Sequence, residues 1–510
     1  MCGIGFLIDT RIASEKNTIF CRGRAFPIGK ERRPELKGKI VSATGMLSRL
    51  LVVSLFLVMS LSPRDVSGAG LKEQVFEATL SNGLKVILLE NHKAPLVSFQ
   101  VWYRVGSRDE AWGRTGISHL IEHLMFKGTE KLSADRFTGA IEENGGDYNA
   151  FTSQDFTAYF ENIRADRIGI LLELEADRMQ NLLFREEGFR TERMVVMEER
   201  RLRTDDSPQA YLLEQLEATA FQAQPYHWPT VGWMEDLTRI TLEDVKSYYI
   251  THYTPSNAFL VVVGDFKKEE LYPGIERVFG TIPKGPMIDR LRYQDPPQTG
   301  ERRIIVKKEA QLPAVIMGYH VPNLRDPDSY VLEVIETVLS GGKSSRFYER
   351  LVRKERLVIS TDSQNPLASM DSDLFLISAE PLPGKERAEV EKVLDEEMER
   401  LRKEPVGEHE LEKAKNQLES AFIFGQDSLF SRGMLLASYE IALDWKEVDK
   451  YVPSIRKVSA EDIQRVANRY LIPENRTVGI LIPLPTKKGK PAPEGALIKE
   501  KIIRNSGENT

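Results

Sequence analysis

The sequence predicts an α+β protein made of two related modules, and three observations carry that reading. Apolar residues alternate in some stretches, as strands require, and recur at helical spacing in others. A polar segment with several prolines, Pro283 to Glu301 (PKGPMIDRLRYQDPPQTGE), divides the chain. Finally, ITLEDVKSYYITHYTPSNAFLVVVG from Ile240 echoes VSAEDIQRVANRYLIPENRTVGILI from Val458. Without a gap, Glu243-Asp244 falls on Glu461-Asp462, Pro255 on Pro473 and Asn257 on Asn475. Each copy reads as helix, turn and apolar strand at the end of its half, as an internal duplication of a domain of roughly 200 residues would place it.

Length and composition agree. A chain of 510 residues exceeds what one hydrophobic core organises. Its 41% hydrophobic and 29% charged residues are those of an ordinary globular protein. A net charge of -6 offers no basic field, which sets nucleic acid aside as a partner. Cys2 and Cys21 are the two cysteines, so everything after them lacks the means for a disulfide framework or a Cys-based metal site.

Taken in order, the apolar run Leu50 to Leu61 follows Arg49 and precedes Ser62-Pro63 and the small residues around Val66 to Gly70, the layout of a secretory signal peptide. It is shorter than the roughly 20 residues a bilayer span needs, so the sequence predicts cleavage and no permanent membrane span. Met46 opens a well-formed signal start. Residues 1–45 then read as a non-structural N-terminal extension, 46–70 as the signal peptide, and the mature chain as periplasmic or secreted.

From about Val75, FEATLSNGLKVILLE reads as a hairpin with its turn at Asn82-Gly83. A strand over Leu96 to Val105 follows, then helices over Gly113 to Phe126 and Asp166 to Asn181. Residues 71–282 form the first module, 283–301 the linker and 302–486 the second module. A lysine- and proline-rich tail occupies 487–510.

The chemistry lies in the Gly113–Phe126 helix, which carries His119-Leu120-Ile121-Glu122-His123. Histidines four apart share a helix face, so His119 and His123 can reach one Zn²⁺. Glu122, beside them, can take a proton from water that the metal activates. Ile117, Leu120, Ile121, Leu124 and Met125 supply the opposite, packing face. A zinc site of this kind needs a third protein ligand. Downstream, TERMVVMEERRLR (Thr191 to Arg203) has a helical look with Glu192 and Glu199 on one face, while Glu198 points elsewhere. Taken bare, these glutamates read equally as a solvated face.

The motif, a glutamate 76 positions after His123 and a second seven before it resemble the pitrilysin or insulinase-like metallopeptidases, most of all the bacterial relatives of the mitochondrial processing peptidase. HLIEHLMFKGTEK, GGDYNAFTSQDFTAYF, PYHWPTVGWMEDL, YTPSNAFLVVVGDF and GGKSSRFYERL extend the likeness over about Phe76 to Leu484. The resemblance implies one Zn²⁺ per chain, Glu199 as third ligand and Glu192 as orienting partner. It further implies modules with mostly antiparallel sheets flanked by helices, forming half of a clamshell peptidase. Extended peptides would add to a sheet edge, with Asn149 and Ala150 in GDYNAFT as main-chain contacts.

Active members of that family also use an Arg and a Tyr seven residues apart. Val352 and Ile359 stand at those positions, with Arg353 one place from the first. The departure implies a dimer, either a heterodimer with a related subunit carrying the pair or a homodimer. The expected activity is that of a zinc metalloendopeptidase with Glu122 as general base. The alternative is a non-catalytic structural or peptide-binding subunit of the same fold. His227, in Pro-Tyr-His-Trp-Pro, is the remaining histidine with the best claim to a cleft. His92, His252, His320 and His409 have no ligand-like neighbours in sequence.

Overall fold

A computed structural model describes residues 70–485. The readings of 1–45, of the signal peptide up to Ala69, and of the tail from 487 lie outside the described residues. Among the described residues, no helix is long and apolar enough to cross a membrane.

A single helical turn, Leu71–Gln74, precedes the fold. The first sheet contains β1 (Val75–Thr79), β2 (Lys85–Glu90), β3 (Leu96–Tyr103), β4 (Asp147–Thr152), β5 (Thr157–Arg164) and β6 (Ala258–Gly264), in the order β1-β2-β6-β3-β5-β4. The second contains β7 (Arg302–Glu309), β8 (Ala314–Val321), β9 (Val358–Gln364), β10 (Asp373–Pro381) and β11 (Arg476–Leu484), in the order β7-β11-β8-β10-β9. Without β1 the two orders coincide. Each sheet has one parallel pairing, β2 with β6 and β7 with β11, and is otherwise antiparallel. The β1–β2 hairpin turns where Asn82-Gly83 predicts it, and Gly83 has φ 90.

The helices of the first half are α1 (Ile117–Leu124), α2 (Ala134–Glu142), α3 (Ile168–Asn181), α4 (Glu186–Arg200), α5 (Pro208–Ala220), α6 (Met234–Arg239), α7 (Leu242–His252) and α8 (Lys268–Phe279). Those of the second are α9 (Asp328–Ser340), α10 (Arg387–Lys403), α11 (Glu408–Phe424), α12 (Leu429–Ala442), α13 (Tyr451–Lys457) and α14 (Ala460–Tyr470). The echoed segments become α7–β6 and α14–β11, alike down to their caps. Thr241 with Asp244, and Ser459 with Asp462, close capping boxes. The amides of Asn257 and Asn475 both donate back to the helix end, to His252 and Tyr470 carbonyls, at 2.8 Å.

The halves also exchange helices. Leu212 and Leu216 of α5, from the first half, sit fully buried in the core of the second sheet with Ile316 and Leu481. Gly318 and Gly479 provide the notches: a Cβ there would meet Leu216 or Leu212 within 3.1–3.3 Å. In return α12, from the second half, covers the first sheet. Gln100 donates to the Phe430 carbonyl at 3.1 Å and Lys85 pairs with Glu440 at 2.8 Å. A buried ionic joint lies between the sheets, where Arg108 reaches Asp155 at 3.2 Å and Asp371 at 2.6 Å. Removing one member would strand a desolvated charge. Residues 283–301 form neither helix nor strand, and Asp295 accepts from the backbone N–H groups of Gln222, Ala223 and Gln224.

Candidate metal centre

Helix α1 is shorter than its apolar pattern predicts because Gly113 and Gly116 have φ 83 and 89, outside the helical range. Gly116 also meets Gly232 so closely that a Cβ would lie 2.4 Å from the Val231 carbonyl oxygen, so the helix begins after it. Its free N–H groups are satisfied by the buried Glu110 carboxylate, which accepts from Gly116 at 2.6 Å and Ser118 at 2.8 Å. Ile117, Leu120, Ile121, Leu124 and Met125 are all buried in the first core. The opposite face of α1 is left to His119, Glu122 and His123.

Helix α4 brings the glutamates. Its C-terminal end is held by Arg200, which donates to Glu214 of α5 and to the Gly232 carbonyl, both at 2.8 Å. His123 Nε2 lies 3.2 Å and His119 Nε2 3.8 Å from Glu199 Oε2. Ligand atoms 2.0–2.1 Å from a tetrahedral zinc are about 3.3 Å apart. His119, His123 and Glu199 therefore fit the ion, and they form a group whose ligand atoms lie within 4.8 Å of one another. Glu192 stands behind His123, its Oε2 3.2 Å from Nδ1, and pairs with Lys127 at 2.6 Å through Oε1. Among the described residues, the buried Nδ1 of His119 has no hydrogen-bond partner, so the two rings are not equally held. Glu198 is exposed and pairs with Arg201.

The charges are strongly coupled. Burial and the neighbouring His123 lower His119 to about 4. Burial acts downward on His123 too, but the Glu192 and Glu199 carboxylates override it and raise the ring to about 9. Glu199 falls to about 2 despite burial, through its hydrogen bond from His123 and the charges of His119 and Arg203. Burial lifts Glu122 to about 7, against the hydrogen bond it accepts from Thr152 Oγ1 at 2.5 Å. A carboxyl near neutrality beside a metal-ligand cluster is suited to general acid–base work.

These groups line a cavity of about 460 Å³. Asn149 and Ala150 line it from β4, the edge strand of the first sheet. The Ala150 N–H donates to the Asn149 side-chain oxygen at 2.9 Å. His227 does not join them; it stacks on the exposed Trp112, ring centroids 5.0 Å apart. Arg353, itself exposed, pairs with Glu349 on the helical turn Tyr348–Lys354.

Three contributors escaped the sequence reading. Arg203 follows Glu199 by one helical turn, a spacing that signals the pair they make. Lys127 joins Glu192 from just past the end of α1, and no spacing announces that pair. Thr152 reaches Glu122 across the sheet edge, and no sequence spacing announces that.

Comparison with known proteins decides the family. Residues 85–232 match the model "Insulinase (Peptidase family M16)" and residues 239–418 the model "Peptidase M16 inactive domain". The zinc protease PqqE of Helicobacter pylori is 34% identical over 447 residues, covering 86% of this chain and 99% of that protein. The chain belongs to peptidase family M16. A probable mitochondrial-processing peptidase subunit beta of Arabidopsis thaliana is 26% identical, covering 80% of this M16 chain and 78% of its own length. The crystal structure of a protease from Helicobacter pylori superposes with a TM-score of 0.78 at 34% identity, covering 80% of this chain and 99% of that one. Every residue of the metal cluster falls within the part matched by the insulinase model, and most of the second sheet's module within the part matched by the inactive-domain model.

Proposed function

We propose that this chain is a zinc-dependent endopeptidase acting on peptides or unfolded segments, with one zinc held by His119, His123 and Glu199. The observation that carries this reading is the convergence of that cluster and Glu122 in one cavity walled by an unpaired strand edge. When bound, zinc supplies Lewis acidity to the scissile carbonyl and to water. Glu122 takes the proton from the attacking water and returns it to the leaving amine, as its position between His119 and His123 in the same cavity allows. Thr152 holds that carboxylate in place. A peptide pairs with the outer edge of β4 and takes over the Ala150 N–H now held by the Asn149 side chain.

The metal site belongs to the first module. Val352 and Ile359 at the family's Arg/Tyr positions support a dimer in which a related subunit, or a second copy, completes the substrate clamp. The signal-like segment supports a periplasmic or secreted location. The deciding experiment compares cleavage of a quenched fluorescent peptide mixture by the wild-type chain and by Glu122→Gln. Zinc binding with turnover lost in the variant is expected; turnover retained in a clean preparation of Glu122→Gln sinks the assignment.

A further inference from the structure

A second cavity, of about 450 Å³, adjoins the metal cavity, sharing Arg203, Thr204, Thr230 and Val231 as walls. Its other walls come from both modules. Leu213 and Glu217 of the exchanged helix α5 face Ile316, Leu376 and β9 of the second sheet. Leu213, Ile316 and Leu376 are apolar walls, and the charged groups that line it are Arg203, Glu214, Glu217 and Asp362.

Glu214 is neutralised by Arg200 at 2.8 Å. Arg203 is engaged by Glu199. Asp373 accepts the Leu374 backbone N–H, at 2.7 Å. Among the described residues, no cation or hydrogen-bond donor pairs with the Glu217 carboxylate. Burial, then Asp373 and Glu214, raise that group to about 8, the mark of a carboxyl without a counter-charge. Such a half-buried acid, in a cavity that Leu213, Ile316 and Leu376 also line, complements a side chain with a methylene stem and a cationic head.

We propose that this cavity is a specificity subsite that receives the lysine or arginine side chain of a peptide bound along β4, with Glu217 as its counter-charge. The inference rests on the peptidase reading for the peptide's path, but its test is independent of turnover. Aliphatic atoms of the substrate residue lie against Leu213, Ile316 and Leu376, and its head reaches Glu217. A neutral polar side chain of the same length fills the cavity without the ion pair.

The test uses the full chain carrying Glu122→Gln, loaded with zinc, and short Ala/Ser peptides with one arginine walked along the sequence. Each has a citrulline twin, and affinities are read by competition against a fluorescent peptide. One arginine register should bind roughly tenfold or more tighter than its twin, the range of a charge-assisted hydrogen bond. Adding Glu217→Gln should bring the ratio to near one, Glu217→Asp should restore part of it, and Glu217→Lys should favour a glutamate peptide instead. Equal binding of every arginine and citrulline pair overturns the proposal. So does a preference that survives Glu217→Gln in protein whose thermal unfolding matches the parent. Absent cleavage by the unmodified chain both alone and with the related subunit overturns the peptidase reading instead, while the binding ratios still decide the subsite.

Discussion

Glu192 offers the sharpest test of how the metal site is held. Its Oε2 faces His123 Nδ1 at 3.2 Å, so it fixes which ring nitrogen carries the proton and leaves Nε2 directed at Glu199. A hydrogen bond to a charged group contributes about 1.5–3 kcal/mol, equivalent to roughly 10- to 150-fold in Kd. Lys127 shares the carboxylate at 2.6 Å, which places the expected loss nearer the lower end. Glu192 also favours the proton on His123, and that proton competes with metal. Its removal therefore has two opposing effects on zinc affinity below the raised His123 value of about 9. Zinc competition with a chromophoric chelator should accordingly be run about one unit above that value, where most of the proton competition is gone. Glu192→Gln is expected to weaken zinc about tenfold there, and Glu192→Ala more. Zinc affinity unchanged within about twofold in folded Glu192→Ala would falsify the orienting role.

Leu216→Ala should cost about 2–5 kcal/mol, because the residue is fully buried against the Gly318 and Gly479 notches. Hydrogen exchange should show the lost protection in β8 and β11, in the half of the chain that does not contain Leu216; a loss confined to the first sheet would contradict the helix exchange. Glu217 and Asp373 have folded pKa values raised by burial to about 8 and about 7, from ordinary values of 4.5 and 3.8. Their contribution is complete below the ordinary values and is lost as pH rises through the folded ones. The urea midpoint should therefore fall between about pH 5 and pH 8, and by less in Glu217→Gln; an identical fall in both proteins refutes the assignment for Glu217.

The first-sheet hairpin, the metal helix and both copies of the helix-turn-strand segment were legible because their signals are local. They are a turn dipeptide, a helical stripe from Ile117 to Met125, and the matched Glu243-Asp244, Pro255 and Asn257 against Glu461-Asp462, Pro473 and Asn475. The shared helix face of His119 and His123 was legible for the same reason. Glu199 was not, since a glutamate on a helix carries no mark of what it faces, and only the family likeness singled it out. The exchange of α5 and α12 is written in contacts between residues more than a hundred positions apart, such as Leu216 on Gly318. The start of α1 was misplaced by four residues for a steric reason equally remote, the mutual approach of Gly116 and Gly232.

The half-site reading can be tested within one chain, because both departures from the family pattern lie where substitution disturbs no core. Val352 is half-buried on the helical turn Tyr348–Lys354, and Ile359 is 47% exposed on β9. That strand also supplies Asp362 to the second cavity, three residues or about 10 Å further along. If the chain lacks only the clamp that a partner brings, Val352→Arg combined with Ile359→Tyr should raise kcat/KM of the chain alone by roughly tenfold, the effect of one or two added charge-assisted hydrogen bonds. Zinc affinity should not change, since neither residue touches His119, His123 or Glu199. A double variant that folds, binds zinc and gains nothing argues that the clamp is missing for another reason. In that case wild-type turnover measured against protein concentration decides between a self-sufficient homodimer, whose specific activity rises with concentration, and a chain that needs a different subunit.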